Sequence, residues 1–170
     1  MKKAIVTLSP VTQDMRERFI LDNQWAFKKA AMEGLESDGE QEGEIIERSD
    51  IEASLDGENC HAFLIMADGQ YAGGIIVRID PETMKNSLEI LFVRPDVQSR
   101  GAGSGAWKEI EKMYPETVSW ETVTPYFDKR NVHFYVNKCG FRIVEFFCES
   151  HPDPVSGETF EMFRFLKEMK

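Results

Sequence analysis

The sequence predicts a mixed α/β fold, with a central, mostly antiparallel sheet of about six or seven strands flanked by about four helices. Three observations predict it. β-rich runs at 61–67, 71–79 and 88–93 follow one another without a helix, and Asp68-Gly69 joins the first two as a hairpin turn. An amphipathic helical run over 101–114 then separates them from a β-rich stretch at 118–123. Two further β-rich stretches, 141–149 and 159–165, close the chain after a second short helix, so antiparallel neighbours prevail and helices cover the faces.

Residues 3–8 alternate weakly and read as a first strand. Ser9-Pro10 and Thr12 punctuate the start of a helical region that ends near Met32, with Phe19, Ile20, Trp25, Phe27 and Ala31 as core candidates. The stretch 33–59 is acid-rich and broken by glycines, which reads as a loop carrying a short helix around 45–55. Its charge suits a solvated surface or a rim that recruits substrate. Residues 81–86 form the connection into the strand at 88–93. The helix at 101–114 buries Ala106, Ile110 and Met113 on one stripe, opposite Lys108, Glu109, Glu111 and Lys112, and Pro115 ends it. Asp128 caps the second short helix, which stops at Cys139-Gly140. A loop at 151–157 with two prolines separates the last two strands.

At 170 residues the chain reads as a single domain spanning 1–170, large enough for its own hydrophobic core. A formal net charge of −10 disfavours nucleic acid, whose phosphates it would repel, and suits a cationic substrate. Cys60, Cys139 and Cys148 are odd in number and form no CxxC pair, as expected of free thiols in a reducing compartment. His61, His133 and His151 lack metal-ligand spacing, so no metal is expected. The apolar run after Lys2-Lys3 is too short for a secretory signal, and no stretch approaches the roughly 20 apolar residues of a membrane span. A cytoplasmic protein with no membrane partner is the expectation.

The densest signal lies between the strand at 88–93 and the following helix. Gly101, Gly103 and Gly105 remove side chains where backbone N–H groups converge, and the helix start adds its own unpaired donors. Such a place binds phosphate. On pattern alone, Gly101-Ala102-Gly103-Ser104-Gly105-Ala106 passes as a dinucleotide fingerprint, with Glu121 twenty residues on. Context opposes that reading, because residues 94–100 intervene after the strand and no second βαβ half follows. A Walker A loop is excluded by the absence of Gly-Lys-Ser/Thr.

The intervening residues carry a different pattern. Val93, Pro95, Gln98, Arg100, Gly101 and Gly103, with the strand before and the amphipathic helix after, resemble the acyl-CoA pyrophosphate loop of the GNAT-type N-acetyltransferases. The Gly140-Phe141 pair extends the resemblance to the next helix end, so residues 60–165 are covered and 1–59 match only in having a strand and helices. The resemblance implies the GNAT fold and acetyl-CoA as cosubstrate. Gln98 belongs to its motif, and the N–H groups of Ser99, Arg100, Gly101, Ala102, Gly103 and Ser104 would cradle the pyrophosphate, with Arg100 adding charge. In the family the fourth strand splays from the fifth, and its exposed backbone holds the pantetheine arm. By position that task falls to Leu91 and Val93, with Asn131 as a further cofactor contact.

The implied reaction moves an acetyl group from a thioester to a primary amine of a small molecule or peptide, by direct attack in a ternary complex. The amine, with a solution pKa near 10.4, must shed its proton to a base. The developing oxyanion needs a donor, for which the Leu91 or Val93 N–H is suited. The family's general acid is a tyrosine before Gly-Phe, which implies Tyr135. Tyr135 stands five residues before Gly140, whereas the family pattern has four. Either the helix end carries one extra residue or Tyr135 faces elsewhere. For the base, Glu89 shares strand parity with Leu91 and Val93, while Glu121 and His151 are alternatives. The acceptor is an amine, cationic by the acidic stretch. A non-catalytic acyl-CoA-binding sensor is the rival function, and a homodimer would form through the free sheet edges.

Overall fold

A computed structural model describes residues 2–34, 46–97, 101–157 and 159–169. Among the described residues seven strands form one sheet: β1 (Val6–Pro10), β2 (Cys60–Ala67), β3 (Gln70–Arg78), β4 (Lys85–Val93), β5 (Ser119–Pro125), β6 (Arg142–Phe147) and β7 (Met162–Glu168). Their spatial order is β1-β2-β3-β4-β5-β7-β6. All neighbours run antiparallel except β4 and β5, which are parallel because the α3 helix carries the chain back between them. The helices are α1 (Arg16–Gly34), α2 (Arg48–Asp56), α3 (Ala102–Met113) and α4 (Lys129–His133). This is the predicted mixed α/β architecture.

Two cores flank the sheet. On one face, Phe19 and Ile20 of α1 and Ile51 of α2 pack on Leu64, Ile76, Ile90 and Phe92. On the other, Ala106, Trp107 and Ile110 of α3 pack on Ile65, Ile75, Val77, Leu88, Trp120 and Phe165. Trp107 meets Trp120 edge-on at 5.0 Å between ring centroids, a favoured arrangement of the two ring quadrupoles. Trp107 therefore takes the core position in α3, and Met113, expected in the stripe, is exposed in the last turn. Trp25, another expected core residue, is also exposed, because α1 presents Phe19 and Ile20 to the sheet and turns Leu21 and Trp25 outward.

Local chemistry sets several boundaries. Pro10 ends β1 instead of starting a helix, which an edge strand tolerates because no ladder partner needs its missing N–H. β4 begins at Lys85, earlier than its apolar run suggests. The Asp80 carboxylate accepts the N–H groups of Glu82 and Thr83, and Met84 takes a positive φ of 54° that sends the chain straight into the strand. The short helix expected in the acid-rich stretch is α2; residues 35–45 of that stretch lie outside the described residues.

The feature that positions the site is the separation of β4 from β5. They pair only at Lys85↔Ser119, Asn86↔Trp120 and Ser87↔Glu121. Beyond that, β4 follows β3 as far as Val93, and β5 follows β7 as far as Pro125. A V-shaped gap thus opens inside the sheet. Its closed end is fastened by buried Asn86, whose Nδ2 donates to Thr117 Oγ1 at 2.9 Å, while Thr117 Oγ1 donates to the Tyr114 carbonyl at 2.8 Å.

Candidate active site

The wide end of the V meets the start of α3. Gly101 precedes the helix with φ 78°, a left-handed conformation that costs an L side chain about 1–2 kcal/mol and a glycine nothing. The Gly105 N–H already reaches the Gly101 carbonyl at 2.8 Å. The N–H groups of Ala102, Gly103 and Ser104 precede it and have no acceptor inside the helix. Among the described residues no side chain caps this end, and the Ser104 hydroxyl is turned back to the Gly101 carbonyl at 3.3 Å. Three donors and the positive end of a twelve-residue helix make an anion cradle. Gly105 serves packing instead, since a Cβ there would stand 2.6 Å from the Val6 side chain of β1. Gln98, Ser99 and Arg100 lie outside the described residues.

The β4 backbone lines one wall of the V. The Arg94 N–H donates to Ala72 of β3 at 2.8 Å. Backbone groups alternate sides along a strand, so those of Val93 and Leu91 point away from β3 into the gap. Register supplies a finding that the sequence pattern missed. Ile76 pairs with Ile90 and Val77 with Leu88, so Glu89 has no partner and forms a β-bulge. The parity expected across 89–93 therefore breaks. Leu91 packs with Leu88 on the α3 face, while Glu89 is turned to the α1 face, which Ile90 also shares. There its Oε1 accepts the Ser87 hydroxyl at 2.7 Å and lies 3.5 Å from Arg78 Nε.

On the α3 face, the closed end of the V holds Tyr135. The chain after α4 continues as a π-turn, Phe134–Lys138, closed by the Cys139 N–H on the Phe134 carbonyl at 3.1 Å. That wider turn is the extra residue between Tyr135 and Gly140. The Tyr135 ring is buried against Phe134, Phe141 and Phe165. Burial pushes its phenol above the usual range, and the neighbouring Thr122 side chain opposes part of the shift. Thr122, unremarked in the sequence, also donates to the Leu88 carbonyl across the V at 3.0 Å. Asn131 lies close by on α4, its N–H capped by Asp128 Oδ1 at 3.0 Å and its Nδ2 3.4 Å from Thr124 Oγ1.

The opposite face carries the remaining candidates. Trp120 lies in the α3-side core, so Glu121 projects to the other side, beside Ser87. Arg164 Nη1 stands 3.3 Å from Glu121 Oε2, and Arg164 Nε donates to Glu145 Oε1 at 2.8 Å. The other Glu145 oxygen meets His151 Nε2 at 2.6 Å, and the His151 ring stacks on Phe147. Hydrogen bonds from His151 and Arg164 hold the Glu145 carboxyl below its usual range. Glu121 and His151, two separate suggestions of the sequence, thus belong to one chain of polar contacts through Arg164 and Glu145. Neither linking residue stands in a local motif, because the link to β5 exists only through the placing of β7 between β5 and β6 in the sheet.

Among the described residues no group of His, Cys, Asp and Glu could hold a metal ion, and no helix is long and apolar enough to cross a membrane. The profile of the acetyltransferase (GNAT) family matches residues 20–141. The uncharacterized protein YrkN of Bacillus subtilis is 44% identical over 143 residues, which cover 76% of this chain and 76% of that protein. Solved structures share the fold at low identity. The ribosomal-protein-S18-alanine N-acetyltransferase of Escherichia coli superposes with a TM-score of 0.70 at 12% identity, covering 97% of this chain and 94% of that one. The PaiA N-acetyltransferase of Thermoplasma acidophilum, in complex with coenzyme A, gives 0.67 at 15%, covering 96% and 99%. The spermidine N-acetyltransferase of Vibrio cholerae, in complex with CoA and spermine, gives 0.66 at 12%, covering 96% and 95%.

Proposed function

Because the chain belongs to the acetyltransferase (GNAT) family, we propose that it transfers the acetyl group of acetyl-CoA to a primary amine of a small molecule or peptide, in a ternary complex. The observation that carries the reading is the V: a backbone edge without a strand partner runs from an anion cradle at one end to a hydroxyl pair and two carboxylates at the other. That arrangement fits the donor. The N–H groups of Ala102, Gly103 and Ser104 would receive the pyrophosphate, with Gly101 shaping the turn and Gln98, Ser99 and Arg100 completing the loop. Leu91 and Val93 would pair with the pantetheine amides as an added strand does, and Asn131 would donate to the same arm.

Each chemical task then has a residue. Glu89, freed from the ladder by the bulge, takes the proton of the incoming ammonium, so that the neutral amine attacks the thioester carbon. A Leu91 or Val93 N–H receives the negative charge that grows on the thioester oxygen. As the C–N bond forms and the C–S bond breaks, Tyr135 gives its proton to the departing thiolate, and the second proton shed by the attacking nitrogen restores the phenol. Burial keeps that proton in place until it is needed, because it disfavours the phenolate. Holding both substrates in line supplies much of the rate.

No metal enters this scheme. A cationic acceptor and a cytoplasmic setting are part of the proposal, in keeping with the net charge of −10. Calorimetric titration with acetyl-CoA, followed by thiol release over a panel of amines, tests it. Binding with amine-dependent thiol release is expected. Tight binding without turnover on any amine would establish the sensor reading instead, and absence of binding would defeat both.

A further inference from the structure

The proposed reaction uses one carboxylate of the sheet face opposite α3, Glu89, and leaves a second, Glu121, unexplained. Glu121 sits opposite Ser87, at the last paired position before the V opens, and the Ser87 hydroxyl is bound to Glu89. Neighbouring strands are about 4.8 Å apart, so Glu89 and Glu121 border the same closed end from adjacent strands. Their surroundings differ. Glu89 has a hydroxyl donor and Arg78 beside it. Glu121 has one side-chain partner among the described residues, Arg164, at 3.3 Å and without a well-formed hydrogen bond. The Glu121 side chain keeps 47% of its surface exposed. Arg164 is committed elsewhere, since its Nε donates to Glu145 at 2.8 Å and Glu145 is itself held by His151 at 2.6 Å. The Cys148–His151 bridge, with two backbone hydrogen bonds of 3.0 Å, fixes His151 in turn.

We propose that Glu121 is a specificity-determining residue that binds a second cationic group of the acceptor, one that stays protonated through the reaction, so that the preferred acceptor is a diamine or another amine with a second cation a few bonds away. The proposal rests on the acetyltransferase reading and deepens it. The physical reason is a division of labour. The reacting nitrogen must lose its charge before it attacks, so it cannot keep an ion pair through the reaction. A second cation keeps its charge throughout and can pair with Glu121 from binding to release. When it does, Arg164 falls back on Glu145, which already holds it more tightly. The strip carries Glu89, Glu121 and Glu145 against Arg78 and Arg164, so a cation reduces its charge imbalance and an anion increases it.

Three probes of equal length and the same reacting amine test this: 1,4-diaminobutane, n-butylamine and 4-aminobutanoate. For the wild-type chain with acetyl-CoA, kcat/KM for 1,4-diaminobutane should exceed that for n-butylamine on the order of tenfold, the worth of one charged contact. The value for 4-aminobutanoate should be the lowest of the three. Glu121→Gln should abolish the diamine preference through acceptor KM while leaving the KM of acetyl-CoA unchanged. Equal values for diamine and monoamine, a preference that survives in E121Q, or 4-aminobutanoate as the best acceptor would each overturn the proposal. The last result would assign Arg164 to an acceptor carboxylate. Calorimetric titration of the same amines into the CoA-saturated protein reads the preference without turnover. Diamine-selective binding lost in E121Q but without thiol release would refute the catalytic reading and uphold Glu121. Turnover without selectivity would do the reverse.

Discussion

The Thr122 hydroxyl donates to the Leu88 carbonyl at 3.0 Å, one residue beyond the last backbone pair of β4 and β5. A side chain here replaces the ladder bond that the splay removes, and the same hydroxyl acts on the phenol of Tyr135. The strand gap and the Tyr135 phenol, the proposed general acid, are thereby tied to one group.

Thr122→Val keeps the shape and removes that group. The buried Leu88 carbonyl then loses its partner, which costs about 1–3 kcal/mol, and Tyr135 loses its orienting neighbour. A lower melting temperature together with a fall in kcat is expected. Tyr135→Phe leaves the Leu88 bond intact, so its stability should stay close to wild type while kcat falls by about a hundredfold, the usual worth of a general acid. An unchanged kcat in Tyr135→Phe would remove the acid role. The pH profile has a definite sign as well. A pKa raised above 10.0 keeps the phenol protonated, so kcat should show no falling limb from this group below pH 10.0.

The pieces of this site differ in how far they could be read from sequence, and the reason is locality. Gly101 is legible because a left-handed turn admits few residues, and Gly103, Pro95 and Gln98 stand at fixed offsets from it. Leu91 and Val93 are legible through their distance from that loop. The bulge at Glu89 is not, because the run Leu88-Glu89-Ile90-Leu91-Phe92-Val93 contains too little polarity for a break in alternation to show. Arg164 is invisible for another reason. Its partners come from β5 and β6, and only the insertion of β7 between those strands brings the three together. The extra residue before Gly140 was readable as an offset, but only the π-turn decides that Tyr135 still points inward.

Gly101→Ala tests the cradle. The φ of 78° imposes about 1–2 kcal/mol on an L residue, or a loss of about 2–8 °C in Tm for a chain of this size. It should also weaken acetyl-CoA binding on the order of tenfold, since relaxing the turn redirects the N–H groups that follow. Gly157→Ala is the control, because Gly157 has a φ of 72° with nothing within 4 Å of its would-be Cβ and lies in the β6–β7 connection. It should lose similar stability and keep its affinity for acetyl-CoA. Equal affinities in the two variants would detach the cradle from cofactor binding.

The three free cysteines should separate by reactivity. Burial pushes the Cys139 thiol up to about 12, with Lys167 opposing part of the shift. The half-buried Cys148 is held below its usual 9.0 by hydrogen bonding with Ser150, 3.2 Å from its Sγ. Thiolate is the reactive form, so timed iodoacetamide labelling of the native protein near pH 8 should modify Cys148 early and Cys139 last. Peptide mass analysis reads the order. Comparable rates at the two sites in folded protein would contradict the burial of Cys139.

Glu145 links the sheet face opposite α3 to acid stability. Its carboxyl is held below its ordinary 4.5 by hydrogen bonds from His151 and then Arg164. A depressed folded-state pKa means that the unfolded chain binds the proton more readily. The stabilisation is therefore complete above pH 4.5 and is lost as pH falls through the lower folded value. Glu145→Gln cannot titrate, so it should be less stable than wild type at neutral pH and converge with it in acid. Thermal melts of both proteins at neutral pH, at pH 4.5 and about two units lower would follow that convergence. A gap that stays constant over this range would mean that Glu145 contributes by shape alone, and that the Arg164 and His151 contacts carry no net charge coupling.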